Sequence, residues 1–138
     1  MDWVLDASLA LAWGLPDESS KRADRVLAKS SHDISFWVPA LWWYELSNGL
    51  TMARRQQRIT ETDRLRLLEL YGSLPIQTDL NLGVDALWRL HTIAQEHTLS
   101  AYDAAYLDLS QRRGLGLATL DRQLIKAARK AGVKVIRS

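Results

Sequence analysis

Four acidic side chains occupy positions from which an α/β protein does chemistry: Asp6, Glu45, Asp103 and Asp121. Asp6 ends the apolar run Trp3-Val4-Leu5, and Asp121 follows the apolar stretch 115–120. Asp103 falls in the first turn of one predicted helix, and Glu45 lies two turns into another. Open α/β sheets bind ligands beyond the C-terminal ends of their strands, where the strand order reverses, so these four residues can share one edge. Two carboxylates about 4 Å apart repel by roughly 4 kcal/mol at an effective dielectric near 20. A group of four therefore holds together through shifted pKa values or a bound cation. With oxygen donors alone the matching cation is hard, Mg²⁺ or Mn²⁺. The reaction such a site suits is metal-assisted hydrolysis of a phosphodiester, with water activated and charge on the phosphate offset.

Each acid also has a purely local reading. Asp6 and Asp121 stand where helix N-caps stand, and Asp is a favoured cap worth about 1 kcal/mol. Ser100-Ala101-Tyr102-Asp103 has the form of a capping box. Glu45 sits in Ala40-Leu41-Trp42-Trp43-Tyr44-Glu45-Leu46, where a long side chain can pass an apolar patch to reach solvent. No lysine or arginine lies within a turn of it. A carboxylate so placed needs a partner or a cation, because unpaired burial is strongly unfavourable.

The elements that must carry these residues alternate. Strands are predicted at 3–5, 34–38, 76–78, 115–120 and 133–136. Helices are predicted at 8–13, 17–29, from Pro39 to about 55, 60–71, 82–96, 100–113 and 121–131. Strands separated by helices imply an α/β fold, a parallel sheet with helices on both faces. With 138 residues, 47% hydrophobic and 25% charged, the chain reads as one globular domain over 1–138.

Composition removes whole classes of function. There is no cysteine, which excludes disulfide frameworks, zinc ribbons, thiol catalysis and iron–sulfur clusters. His32, His91 and His97 are too few and scattered for an imidazole metal site, and His91 and His97 read as surface or packing residues. The apolar run at 38–44 is far short of the ~18 residues a membrane span needs, so no membrane is expected. Asp2 and Asp6 stand where a signal peptide would carry basic residues, and the cytoplasm is the expected location.

At the acidic positions the sequence resembles a known family. VLDAS (4–8), WYELSNGL (43–50), LSAYDAAYLDLS (99–110) and LATLDRQL (117–124) are similar to the successive motifs of PIN-domain ribonucleases, and most similar to the VapC toxins of bacterial VapBC toxin–antitoxin modules. Four acidic motifs agree in order over essentially the whole chain. The resemblance implies a single PIN-like domain with a four- or five-stranded parallel sheet. It also implies Mg²⁺- or Mn²⁺-dependent endoribonuclease activity, a homodimer, and inhibition by a small VapB-like antitoxin. Carried over by position, Asp6, Glu45, Asp103 and Asp121 form the acidic metal-binding set. Asp6 and Asp103 are expected as direct ligands, with Asp121 and Glu45 positioning water or a second ion. Ser8 and Thr119 match the hydroxyl positions that support such a set. Asp108 departs from the pattern, since an apolar or small residue is usual there. It points about 140° away from Asp103 on a helix, and is expected to face solvent or support the site from behind.

Charge and aromatic placement suggest the partners. Residues 112–138 hold eight Lys/Arg against Asp121 alone, whereas 1–111 carry an acidic excess. In the helix after Asp121, Arg122, Lys126, Arg129 and Lys130 share one side, either as a solvated face or in contact with RNA or an acidic partner. Arg54 and Arg55 close the Glu45 helix, where they suit its negative dipole end or a phosphate. Trp3 and Trp37 read as core. Trp13, Trp42 and Trp43 on the early helices either fill the core or anchor an antitoxin helix. The alternative to a nuclease is a PIN-like module that grips RNA or protein without cutting. Retention of all four mutually repelling acids argues against it. A receiver or phosphatase domain fits poorly, because Ser8 stands where Asp-x-Asp would place its second acid.

Overall fold

A computed structural model describes residues 1–18, 20–30 and 34–136. Among these, four strands and seven α-helices alternate: β1 Asp2–Leu5, α1 Ala7–Ala12, a 3-10 turn Pro16–Glu18, α2 Lys21–Ser30, β2 Ser35–Pro39, α3 Leu41–Arg55, α4 Glu61–Ser73, β3 Ile76–Asp79, α5 Val84–His97, α6 Ala101–Arg113, β4 Gly116–Ala118 and α7 Arg122–Lys130. The sheet is parallel with order β3-β2-β1-β4. Trp3, Val4 and Leu5 point alternately to opposite faces of β1 and are all buried, so helices cover both sides.

That order fixes where a site can form. From β1 the chain steps outward through β2 to β3, then returns to place β4 on the other flank of β1. The strand order reverses between β1 and β4, and a crevice opens beyond their C-terminal ends. The Asp6 amide still donates to the Ala118 carbonyl at 2.9 Å, so the two chains part company at that edge.

α1 and α3 close over this edge. Gly49, one turn beyond Glu45, lets them approach: a Cβ there would meet Leu11 Cδ1 at 2.7 Å. Tyr71 of α4 donates its hydroxyl to the Ala10 carbonyl at 2.8 Å and ties α4 to α1. Thr60 and Asp63 form a capping box at the start of α4, where a helix is predicted to open.

Several expectations are corrected. The helix predicted over 17–29 is a 3-10 turn followed by α2, because Ser20 Oγ accepts from the Ala23 N–H and so supplies a later cap. The stretch 115–120 forms a strand only at Gly116–Ala118. The last strand, predicted at 133–136, shrinks to one parallel bridge between Leu117 and Val135. Trp37 packs against the core but is only half-buried, with the Arg113 guanidinium 3.5 Å from the centre of its ring. Asp108 does not face solvent. It is 4% exposed and clamped between Arg89 (3.0 Å) and Arg112 (2.9 Å). α6 is buried over all of residues 104–110, so the side opposite Asp103 meets α5 instead of water. His91 is exposed and His97 half-buried, in keeping with surface and packing roles, while His32 lies outside the described residues.

Candidate active site

Asp6 is the centre. It stands at the N-cap position of α1, yet its side chain makes no capping hydrogen bond. Instead Oδ2 accepts from Thr119 Oγ1 at 2.6 Å and from Ser8 Oγ at 2.7 Å. The two predicted hydroxyls therefore hold the carboxylate from either side of the β1–β4 crevice. The residue is 4% exposed, and burial pushes its pKa up against the opposing pull of the hydroxyls. Asp121 adds repulsion in the same direction.

The other three acids come in from separate helices. Asp121 caps α7, its Oδ1 accepting from the Leu124 N–H at 3.0 Å, and its own amide donates to Thr119 Oγ1 at 3.0 Å. Here the cap reading and the site reading hold together, since one carboxylate oxygen suffices for the cap. In α6, Ser100 Oγ accepts from the Asp103 N–H at 3.1 Å. The Asp103 carboxyl feels Asp121 and Asp6, and burial followed by these charges raises its pKa. Glu45 is half-buried on α3, raised first by burial and then by Asp6 and Asp103, with the Tyr106 hydrogen bond opposing.

Tyr106 is the residue that sequence reasoning missed. Its hydroxyl donates to Glu45 Oε1 at 2.8 Å, and Ala7, next to Asp6, gives that hydroxyl a backbone hydrogen bond. Burial, with Asp6 and Glu45 beside it, drives the phenol far upward, so it stays a proton donor. The available signal was its place three residues after Asp103 on the same helical face.

All four predicted acids thus sit at the edge where β1 and β4 end, coupled by charge. No arginine or lysine is among the charges that shift Asp6, Glu45 or Asp103. Among the described residues no three acidic or imidazole groups close on one point as a finished metal cage. An all-oxygen set that is spread, buried on one side and free of countercharge suits a hard divalent ion that keeps its waters. The predicted RNA contacts divide. Arg122 and Lys126 are exposed on α7, Arg55 is exposed at the end of α3, and Arg54 is taken up by Glu61 of α4 at 3.3 Å.

The PIN domain family matches residues 3–130. The chain belongs to the PIN-domain family. Ribonuclease VapC3 of Pyrobaculum aerophilum is 30% identical over 128 residues, spanning 90% of this chain and 92% of that protein. Ribonuclease VapC9 of Mycobacterium tuberculosis is 30% identical over 122 residues, 88% of this chain and 87% of the relative. Among solved structures, Mycobacterium tuberculosis VapC20, described as a sarcin–ricin-loop-cleaving toxin, superposes with a TM-score of 0.68 over 100% of both chains at 16% identity. A Pyrobaculum aerophilum protein gives 0.68 at 24% identity, over 98% of this PIN domain and 83% of its own length. Those likenesses establish the fold, and the four-stranded order β3-β2-β1-β4 is this PIN domain's version of it.

Proposed function

We propose that this PIN domain, taken as one unit over 1–138, is a Mg²⁺- or Mn²⁺-dependent endoribonuclease and the toxin of a VapBC-type toxin–antitoxin pair acting in the cytoplasm. One observation carries the reading: a carboxylate, Asp6, is 4% exposed, held by two neutral hydroxyls, and lies in the field of other carboxylates, with no cation among the charges that shift it. A purely structural site has no reason to keep that repulsion. The ribonuclease names of the two relatives at 30% identity point the same way. A divalent ion, when bound, acidifies a water and neutralises charge on the phosphate.

The chain's own residues then divide the work. Ser8 and Thr119 fix Asp6 through its Oδ2, which holds the carboxyl in one orientation at the ends of β1 and β4. Asp103 presents its carboxyl from the first turn of α6, and Asp121 keeps one oxygen on its helix and the other for the site. Tyr106 aims Glu45. Tyr106→Phe is expected to weaken Mn²⁺ binding about 10-fold, as loss of a partner behind a ligand typically does. Calorimetric titration of the folded variant checks this, and unchanged affinity would make the tyrosine a packing residue only.

The antitoxin has a receptive surface between α3 and α4. A groove of about 300 Å³ is lined by Trp43, Leu46, Leu50, Leu68 and Tyr71, with Trp43 44% exposed, while Trp42 is fully buried. Apolar anchors of this spacing fit a partner helix or strand. A homodimer would cover Leu80, Leu82, Val84, Leu87 and Trp88, which lie together in sequence and are all exposed. No helix among the described residues is long and apolar enough to cross a membrane.

The deciding experiment incubates the purified protein with a labelled single-stranded RNA. Cleavage is expected with Mg²⁺ or Mn²⁺, is expected to vanish in EDTA, and should return with excess Mn²⁺. Cutting that persists in EDTA would overturn the metal reading. Binding without cutting under any metal would leave the non-catalytic module.

A further inference from the structure

A second feature, which the reaction itself does not use, is built from residues next to Asp121 in the chain. A cleft of about 560 Å³ lies between α2 and α7, lined by Arg22, Leu120, Arg122, Ile125, Lys126 and Arg129. All four cations are exposed, and no carboxylate lines the cleft. Among the described residues none of the four is engaged in an ion pair. Leu120 and Ile125 are half-buried and give it an apolar floor. Leu120 and Arg122, both in its lining, flank Asp121 in the chain and so tie the cleft to the start of α7.

We infer that this cleft is the track along which one flank of a single-stranded RNA leaves the carboxylates. The inference rests on the ribonuclease reading and adds to it the path of the substrate. Arg122, Lys126 and Arg129 follow each other at four and three residues, so they form one row roughly 10 Å long on a single face of α7. Arg22 faces them from α2. A row of cations on one wall and one on the other, above an apolar floor, matches a strand whose phosphates lie at the rim and whose sugars and bases lie below. The repelling acids make the track necessary. A polyanion approaching Asp6, Glu45, Asp103 and Asp121 meets negative charge, and cations next to Asp121 offset that barrier. A double helix is a poor occupant, since its phosphates cannot follow a single helix face while its bases reach the floor. Arg129 also lines a larger neighbouring cleft of about 800 Å³ with Lys29 and Lys134, which extends the basic surface away from the site.

The test measures binding of a fluorescein-labelled oligouridylate by anisotropy, in EDTA so that nothing is cut, across a salt series. Each phosphate contact on a single strand contributes about 0.7 to the slope of log K against log salt. Lys126→Gln/Arg129→Gln is expected to lower the slope by about 1.4 and the affinity at 0.1 M salt by about 25-fold. Arg22→Gln is expected to remove about 0.7 of slope. Arg64→Gln/Arg66→Gln on α4 removes the same charge as the α7 double variant, and is expected to change the slope little. Equal losses from the α4 and α7 pairs would show diffuse attraction and overturn the track while the nuclease reading stands. The track would likewise be overturned by RNA binding that survives the α7 change while capture of an acidic protein partner fails. A parent protein that neither binds nor cuts RNA would instead sink the ribonuclease reading beneath it.

Discussion

Asp6→Asn is expected to reduce RNA cleavage by about 10³-fold or more, roughly 4 kcal/mol of transition-state stabilisation, while leaving the metal-free fold at least as stable as the parent. Asparagine keeps an oxygen for Ser8 and Thr119, so the hydrogen bonds that hold residue 6 survive. What it removes is a buried negative charge and the repulsion that this charge exerts on Glu45 and Asp103. The pH dependence follows from the direction of the shifts. Asp6, Glu45 and Asp103 all have pKa values raised in the fold, so the native state takes up protons more readily than the unfolded chain. Their contribution to stability is therefore unfavourable when ionised. It is relieved as pH falls through the raised native values, and the relief is complete below the ordinary carboxylate range. Denaturant unfolding in EDTA should show the parent gaining stability from these groups on mild acidification, with Asp6→Asn flatter over the same window. A loss of more than about 2 kcal/mol at neutral pH would mean that Asp6 serves the fold, as a cap would.

Asp108→Ala should do the reverse. This carboxylate joins Arg89 and Arg112, and Arg112 in turn holds Asp79 at the end of β3 at 2.6 Å. Removing Asp108 leaves Arg89 with only the neutral Asn81 oxygen and Arg112 with Asp79 alone, between α5 and α6. Breaking a fully buried pair costs roughly 3–5 kcal/mol, and an exposed one under about 1. The arginine side chains here are 32% and 23% exposed, which places the expected destabilisation at about 2–3 kcal/mol. Cleavage per folded molecule should stay within about twofold of the parent, because Asp108 is among neither the charges nor the hydrogen bonds that act on Asp6, Glu45 or Asp103. Two aspartates are thus distinguished by opposite signatures: one activity without stability, the other stability without activity. A Asp108→Ala protein that folds normally and fails to cut would place it in the site after all.

The contrast between these residues shows what the amino-acid order could reveal. Asp6, Asp103 and Asp121 were legible because each follows a strand end or opens a helix, positions that sheet topology converts into one edge. Glu45 was legible by its oddity amid tryptophans, but its partner Tyr106 was not, since a tyrosine in an apolar helix reads as core until its hydroxyl is located. For Asp108 the solvent-facing alternative fails for a related reason. Helical projection gives direction but not what lies there, and α6 is enclosed on every side over 104–110. The last strand failed differently: Val133 to Ile136 has the right residue types, yet it meets β4 only at Leu117. The beginning of α2 was decided by the Ser20 hydroxyl, one polar atom among several plausible caps.

The hydroxyl that Thr119 gives to Asp6 joins positions 113 residues apart. A ribosome making this protein delivers Asp6 more than a hundred residues ahead of its companions Thr119 and Asp121. Until that late segment emerges, the crevice has only one wall, and the growing polypeptide carries no assembled blade. The working edge of such an enzyme is thereby complete only once β4 and the start of α7 have been made.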